Sequence, residues 1–507
     1  MIRKFSGMVA AAVLAAFASA ALADGDTLRI AHYDMPAQFG MPYGTFGANG
    51  ALPLMLVYDS MTFVNKDGNL VPGLALSWEV KDQNTWVFKL RPGVRFHNGE
   101  PFNADVVIAN IDAINNDEIV TTQQAAGQLR GLTSARAIDD LTVEIKTANP
   151  EAILPRRLAI MRPHEPKAWA DLGADGYGKT PIGTGPYRIT IWDGEKILGT
   201  AFEDGWRVPS IKNLDVRLLA ENAARVQALC SDQVDIAFAL TPDDAATIEA
   251  CGHKVVLSPT NNIITLILRH LVEDSPVHDV RVRQALNYAY DKETFVRTVL
   301  DGTTRTTGQI ATHRMSGFQS DIEPYPYDPG KARELLAAAG YPNGFDMMAE
   351  IVVTSGEYRD TFGAIGNDLK KVGVNLELRI ITIPDLVRKI IRIKPWEGDA
   401  FSMMYEGYPT ADISRNMATH SCLVTEIRNR DPHTCFPEIT PTVRAMMTEF
   451  DLNKRAELQR KVSLHYHEMA PAIFSHERVW VDGIASNLMN YTIVNRTVSY
   501  ADLEFVN

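Results

Sequence analysis

Beyond its first 23 residues, this chain of 507 has no apolar run approaching the ~20 residues that cross a bilayer. It has no Lys/Arg-dense stretch, and its formal charge of −12 argues against nucleic acid as a partner. Cysteine is scarce, four in all, and no two have the C-x₂₋₄-C spacing of a zinc module. There is no G-x-S-x-G stretch for a hydrolase elbow. "IGTGPY" has glycines but lacks the Lys-Ser/Thr of a phosphate loop and the full G-x-G-x-x-G. "HYHE" (His465 to Glu468) sets its histidines at i and i+2, which point apart on a helix, so it is not a zinc-protease site. Neither internal repeats nor low-complexity runs occur. No catalytic residue, metal site or cofactor is therefore expected, and an exported hydrolase would need a convergent set that is missing.

What is present begins with a leader. Arg3 and Lys4 precede "GMVAAAVLAAFASAALA", which carries no charge and ends in Ala21-Leu22-Ala23. That is the positive n-region, short apolar core and A-x-A site of a secretory signal, cleaved after Ala23. No cysteine follows the site, so a lipid anchor is not expected, and the mature chain should be exported rather than membrane-spanning. In an oxidising compartment, an even cysteine count in local pairs suggests the disulfides Cys230–Cys251 and Cys422–Cys435; zinc is the weaker reading. The length far exceeds the ~250–300 residues at which one core stops growing, so at least two domains are expected.

Local patterns then divide the chain. "TLRIAHY" reads as a strand, followed by a Gly/Pro-rich stretch to Gly50. Asp67-Gly68 signals a hairpin, and Val71 to Val80 alternates. In "TWVFKLRPGVRFHNGEPFNADVVIANI", Trp86, Phe88 and Leu90 share one side of a strand; turns follow at Pro92-Gly93 and Asn98-Gly99, then a helix after Asn103. His97, beside a turn, is read as structural or exposed rather than as a ligand. "LTVEIKTANP" adds a strand to this α+β unit. From "GKTPIGTGPYRITIW" onward the pattern becomes βαβ-like, arguing for a parallel sheet covered on both faces. "VHDVRVRQALNYAYDKETFVRTVL" reads as a helical region capped by Asp279. "DPGKARELLAAAGYPNGF" has Asp328 as cap, Pro329 at the first helical position and Gly340 as terminator. Further βαβ units run through "DMMAEIVV", "NLELRII", the helix "IPDLVRKIIR" and the strand "DAFSMMY".

Five of these stretches together resemble one family: the periplasmic solute-binding proteins of bacterial ABC importers of the peptide/nickel group, dipeptide- and oligopeptide-binding type (solute-binding family 5). They are "LVPGLALSWEV", "TWVFKLRPGVRFHNGEPFNADVV", "PIGTGPYRI", "VRVRQALNYAYDKE" and "YDPGKARELLAAAGY", in the family's order and near its spacing. The resemblance implies an α/β, two-lobed Venus-flytrap fold of the large cluster, with an extra α+β subdomain inserted in the N-terminal lobe. Lobe I would comprise 24–50, 176–265 and 480–507, the insertion 51–175, and lobe II 266–479. Crossing strands near "NNIITLILRH" and "APAIFSHERVWVDG" would form the hinge. It implies a monomer in the periplasm, partnered by two membrane permease subunits and two ATPases. Its solute would be a short peptide or peptide-like compound, or alternatively an opine, glutathione, a sugar or a metal chelate. A chemoreceptor adaptor or chaperone-like binder is a different class that sequence alone leaves open.

Cleft residues should lie on segments leaving the hinge strands. Tyr33 would cover a solute and hydrogen-bond to it, or else pack in the lobe I core. Arg269, in the apolar run "IITLILRHL", would take a carboxylate or pair with a lobe acid. In peptide-binding members of the resembled family, an aspartate on a strand–loop holds the ligand's α-ammonium. That position falls on Gly407 or Tyr408 here, with Glu406 as the adjacent acid. Tyr405, Tyr408 and Arg415 would line a pocket for a polar solute, Arg415 being alternatively a solvated helix residue. Asp412 matches a later acid of the family, read as ligand contact or as a loop or helix cap.

Overall fold

A computed structural model describes residues 26–45, 48–353, 355–390, 395–428, 432–494 and 497–506. The expected signal segment, 1–23, lies outside the described residues.

Two long strands, Lys254–Leu268 and Ala472–Ile484, run antiparallel through the middle of an eleven-stranded sheet, counted among the described residues. On one side the sheet continues through Ile236–Leu240, Thr27–His32, Asn213–Leu218, Lys196–Ala201 and Tyr187–Trp192. On the other it continues through Ala400–Ser402, Phe345–Ile351 and Val374–Ile380, with the short strand Tyr405–Glu406 pairing to Lys254–Leu268. Thr27–His32 runs parallel to both its neighbours, and Phe345–Ile351 likewise. Helices Asn222–Cys230 and Gly356–Lys370 supply the crossovers, as parallel pairing demands. The molecule is two-lobed. One pair of cores, around Ile30, Val216 and Phe238 and around Ala31, Leu229 and Val481, covers the first side of the sheet. Another pair, around Leu266, Phe362 and Ala400 and around Ile263, Tyr405 and Phe474, covers the second.

A separate four-stranded antiparallel sheet, ordered Ala75–Asp82, Thr85–Leu90, Thr142–Thr147 and Leu132–Asp139 and so not the sequential meander expected, carries its own core with helix Ala104–Asn116. Trp86, Phe88 and Leu90 face that core, and Asn103 caps the helix by accepting from the Val106 N–H at 3.2 Å. Gly93 and Gly99 turn at φ +75° and +90°, conformations that glycine adopts freely. His97 is buried: it accepts from the Gly183 N–H at 3.4 Å, and its Nε2 lies 3.0 Å from the Gly185 carbonyl. The turn "RPGVRFHNG" and the loop "PIGTGPY" are thus two halves of one clasp. A side chain at Gly183 or Gly185 would collide with the Val57 backbone, its Cβ at 2.1 Å from the Val57 carbonyl oxygen or 2.5 Å from its carbon.

The caps at Asp279 and Asp328 accept from Arg281 and Lys331, and Gly340 follows its helix at φ +97°. One expected helical region is split into Val280–Ala289 and Lys292–Thr298. Asp291 stops the first, because its side chain caps the second at Thr294 while its own N–H is taken by Asp368. The expected strand "DAFSMMY" is likewise broken into Ala400–Ser402 and Tyr405–Glu406. Helix Ile383–Ile390 stands where expected, but residues 391–394 of that stretch lie outside the described residues. Disulfides join Cys230 to Cys251 and Cys422 to Cys435, with Cα separations of 5.4 and 4.5 Å.

Candidate functional site

Where the central strands pass from one lobe to the other, their pairing slips: Ile263 faces Glu477, but Pro259 already faces Val479. Such a bulge redirects side chains locally. Arg478 sits at this slip and heads a stacked series across the hinge. Its guanidinium lies 4.0 Å from the Trp480 ring centroid and 5.1 Å from that of Tyr358, a lobe II helix residue. Trp480 stacks in turn on Tyr33 at 5.7 Å, and Tyr33 on His32 at 4.9 Å, both from lobe I. Tyr33, half-buried, packs against the core around Ile30, Val216 and Phe238 while stacking on Trp480.

Arg478 Nε donates to Glu357 Oε2 at 3.2 Å, and His476 Nε2 lies 3.0 Å from the other Glu357 oxygen. Burial pushes the Glu357 carboxyl up, but the Arg478 charge and the His476 hydrogen bond outweigh it and hold the group below its ordinary range. Glu357 also occupies the first turn of helix Gly356–Lys370, where the helix dipole favours a negative charge. The second charged pair is Glu406 with Arg415, 3.6 Å apart, both partly exposed. Arg415 also donates to Thr419 Oγ1 at 2.9 Å.

Tyr33 joins the stacked series, and Glu406, on the short strand beside the crossing strand, holds Arg415; the other candidates lie apart from both. Tyr405 is fully buried against His420 and Phe474 in a lobe II core. Tyr408, 3 % exposed, packs into the core of the inserted unit, where Arg162 approaches it. Asp412 is fully buried and accepts both Arg455 nitrogens at 2.7 and 2.8 Å. Arg269 lies past the end of the crossing strand, half-buried, with its guanidinium on the Gly398 carbonyl.

Sequence reasoning missed Arg478, Glu357, Tyr358 and Trp480. A signal was available: "SHERVWVDG" keeps ionisable residues at consecutive positions inside a strand named as a hinge crossing. Buried charges there need partners, and the partners come from a helix more than a hundred residues away.

Residues 69–414 match the family model described as bacterial extracellular solute-binding proteins, family 5 Middle. The chain is 27% identical to the dipeptide-binding protein of Escherichia coli K12 over 509 residues, covering 94% of each. It is 31% identical over 296 residues to the glutathione-binding protein GsiB of Pectobacterium atrosepticum, covering 57% of this chain and 56% of that one. This alignment thus spans little more than half the length of the glutathione-binding relative. Its fold is similar to that of the ABC transporter-associated periplasmic binding protein DppA from Helicobacter pylori, solved with the peptide STSA: TM-score 0.78 at 20% identity, covering 95% and 98% of the two chains. Among the described residues no helix is long and apolar enough to cross a membrane, and no cluster of three potential metal ligands occurs.

Proposed function

Because the chain belongs to the bacterial extracellular solute-binding proteins of family 5, we propose that it captures a short peptide or peptide-like solute between its lobes and delivers it to an ABC importer. The importer would consist of two membrane subunits driven by two ATPases, with this protein acting as a monomer in the periplasm. The observation that carries the reading is the charge pattern at the lobe crossing. One ion pair, Glu357 with Arg478, stands beside Tyr358 and Trp480, on which Tyr33 stacks; a second, Glu406 with Arg415, starts from the short strand paired to the same crossing strand. Such a pattern complements a small zwitterion with an apolar body, and the relatives' named ligands, a dipeptide and glutathione, are of that type. A solute touching both lobes at once favours the closed arrangement by its difference in affinity between the two states.

The test is mass spectrometry of solute released from protein purified under native conditions, followed by calorimetric titration. Peptides of a few residues in the released fraction, rebinding at micromolar concentration or below, are expected. A released fraction holding only a sugar, an opine or a metal chelate would overturn the peptide assignment. The opine or other non-peptide reading draws on one feature: the acid nearest the expected ammonium position, Glu406, is paired with Arg415.

A further inference from the structure

The four-stranded unit is seated on lobe I. Met55, Trp169 and Ile182 pack at once against its core and against the core around Ile30, Val216 and Phe238. Its contacts with lobe II are of another kind, since they join segments distant in the chain and none lies on a crossing strand. Arg156 Nη1 donates at 2.9 Å to the Gly68 carbonyl of its own unit and at 2.9 Å to the Thr410 carbonyl, 254 residues away. The buried Asp412 carboxylate attracts the same guanidinium. Gly68 approaches the Arg314 backbone so closely that an added Cβ would stand 2.2 Å from the Arg314 carbonyl oxygen. Tyr408 enters the core of the four-stranded unit, and with Pro409 it walls a small cavity against Phe63, Val64 and Ala159. Phe450 packs on Trp86 with ring centroids 6.0 Å apart.

The lobe II partners are held firmly in that lobe. Ser316 donates its N–H to the Ala411 carbonyl at 2.9 Å and accepts from the Ile413 N–H at 3.1 Å, while Gln459 donates to the Ser316 hydroxyl at 3.0 Å. Gln459 belongs to helix Leu452–Met469, which follows Phe450 directly and sets Val462 and Tyr466 into the core around Ile263 and Phe474. Neither the loop at Thr410 nor Phe450 can follow the four-stranded unit while the rest of lobe II stays behind. Opening about the two crossing strands would therefore part these contacts together. A guanidinium that bridges carbonyls of two bodies is engaged only while the bodies touch.

We propose that this contact face is a latch: Arg156 and Phe450, with Tyr408, hold the lobes shut alongside the solute and so set its affinity and release rate. The inference rests on the capture-by-closure reading above. Apparent affinity scales with the population of the binding-competent state, so a contact made only on closing tightens every solute by one factor. A residue that touches solute would instead discriminate among solutes. Arg156 and Phe450 thus act as positioning residues of the closed state.

Arg156→Met keeps the stem and removes the donors, and Phe450→Ala removes the ring. Each variant, folded by circular dichroism, should weaken Ala-Phe and Met-Leu in calorimetry by about five- to tenfold, with their ratio unchanged, and should speed release in stopped flow. Arg156→Lys should keep part of the wild-type affinity. A readout without solute comes from spin labels on Ser134→Cys in the four-stranded unit and Glu334→Cys in lobe II, both exposed, all four native cysteines being paired. The short-distance population should shrink in both latch variants. If the variants lower only the melting midpoint, leaving affinity, release and label distances as in wild type, the contacts are permanent packing; the latch is overturned while capture stands. If wild-type protein binds neither dipeptide but its short-distance population still shrinks in the variants, the latch stands and the peptide reading falls. Wild-type protein with neither dipeptide binding nor a short-distance population would overturn both.

Discussion

Asp412 offers the sharpest separation of scaffold from site, because it was a candidate ligand residue and the structure buries it completely. Its oxygens accept from Arg455 at 2.7 and 2.8 Å, from the Ser414 N–H at 2.8 Å and from Gln459 at 3.3 Å. Asp412→Ala leaves Arg455, itself 5 % exposed, as an uncompensated buried charge; removing one partner of such a pair costs about 3–5 kcal/mol. Each kcal/mol moves the unfolding midpoint of a unit of 150–250 residues by about 2–4 °C, so a fall of roughly 6–20 °C is expected in calorimetry. Burial pushes the Asp412 carboxyl up, but the Arg455 charge and hydrogen bonds, with Ser414 and Arg156, hold it below 3.8. A carboxyl depressed in the folded state stabilises above its unfolded pKa and loses that effect as pH falls through its folded one. The gap between wild type and variant should therefore be constant from pH 8 to 5 and shrink below about pH 4. Solute affinity measured well below the midpoint should change little. A midpoint shift of a degree or less together with a large loss of affinity would refute the reasoning and return Asp412 to the cleft.

Three further outcomes are expected. Burial lowers His97, His164 and His270 to about 4, so the unfolded state takes up protons first as pH falls from 6.5. Stability should decline between pH 6.5 and 4, by up to roughly 3 kcal/mol per histidine; a melting midpoint unchanged over that window would contradict their buried, neutral state. Arg269→Ala should leave peptide affinity unchanged and cost about 1 kcal/mol of stability, since its guanidinium meets the Gly398 carbonyl rather than the hinge patch; weaker binding without destabilisation would reverse that placement. Replacing Cys230 and Cys251 together by serine opens a loop whose ends are 21 residues apart, and should cost about 3 kcal/mol in urea unfolding; no change would mean that the bond constrains nothing.

What could be read from the sequence was mostly local chemistry. Turns at Pro92-Gly93 and Asn98-Gly99 and caps at Asp279 and Asp328 depend on neighbours a few residues away, and they stand where expected. The role of His97 depended on Gly183 and Gly185, some 86 and 88 positions on, and only half of it could be anticipated. The two-lobed plan came from five motifs in register rather than from periodicity. Tyr33 was legible as an aromatic leaving the first strand, and it packs against the core there. Arg478 was not, because its partner Glu357 lies on a helix 121 residues away. Arg269 attracted attention as a lone cation in an apolar run, and its partner carbonyl lies 129 residues away.

Solute capture between lobes tied by two strands is most directly examined by small-angle X-ray scattering of the purified protein with and without saturating Ala-Phe or the solute released from the native preparation. Shut around its cargo, the molecule should show a smaller radius of gyration and a shorter maximum dimension than the empty form. Identical scattering curves, at solute concentrations where calorimetry reports full occupancy, would contradict a receptor that works by closing.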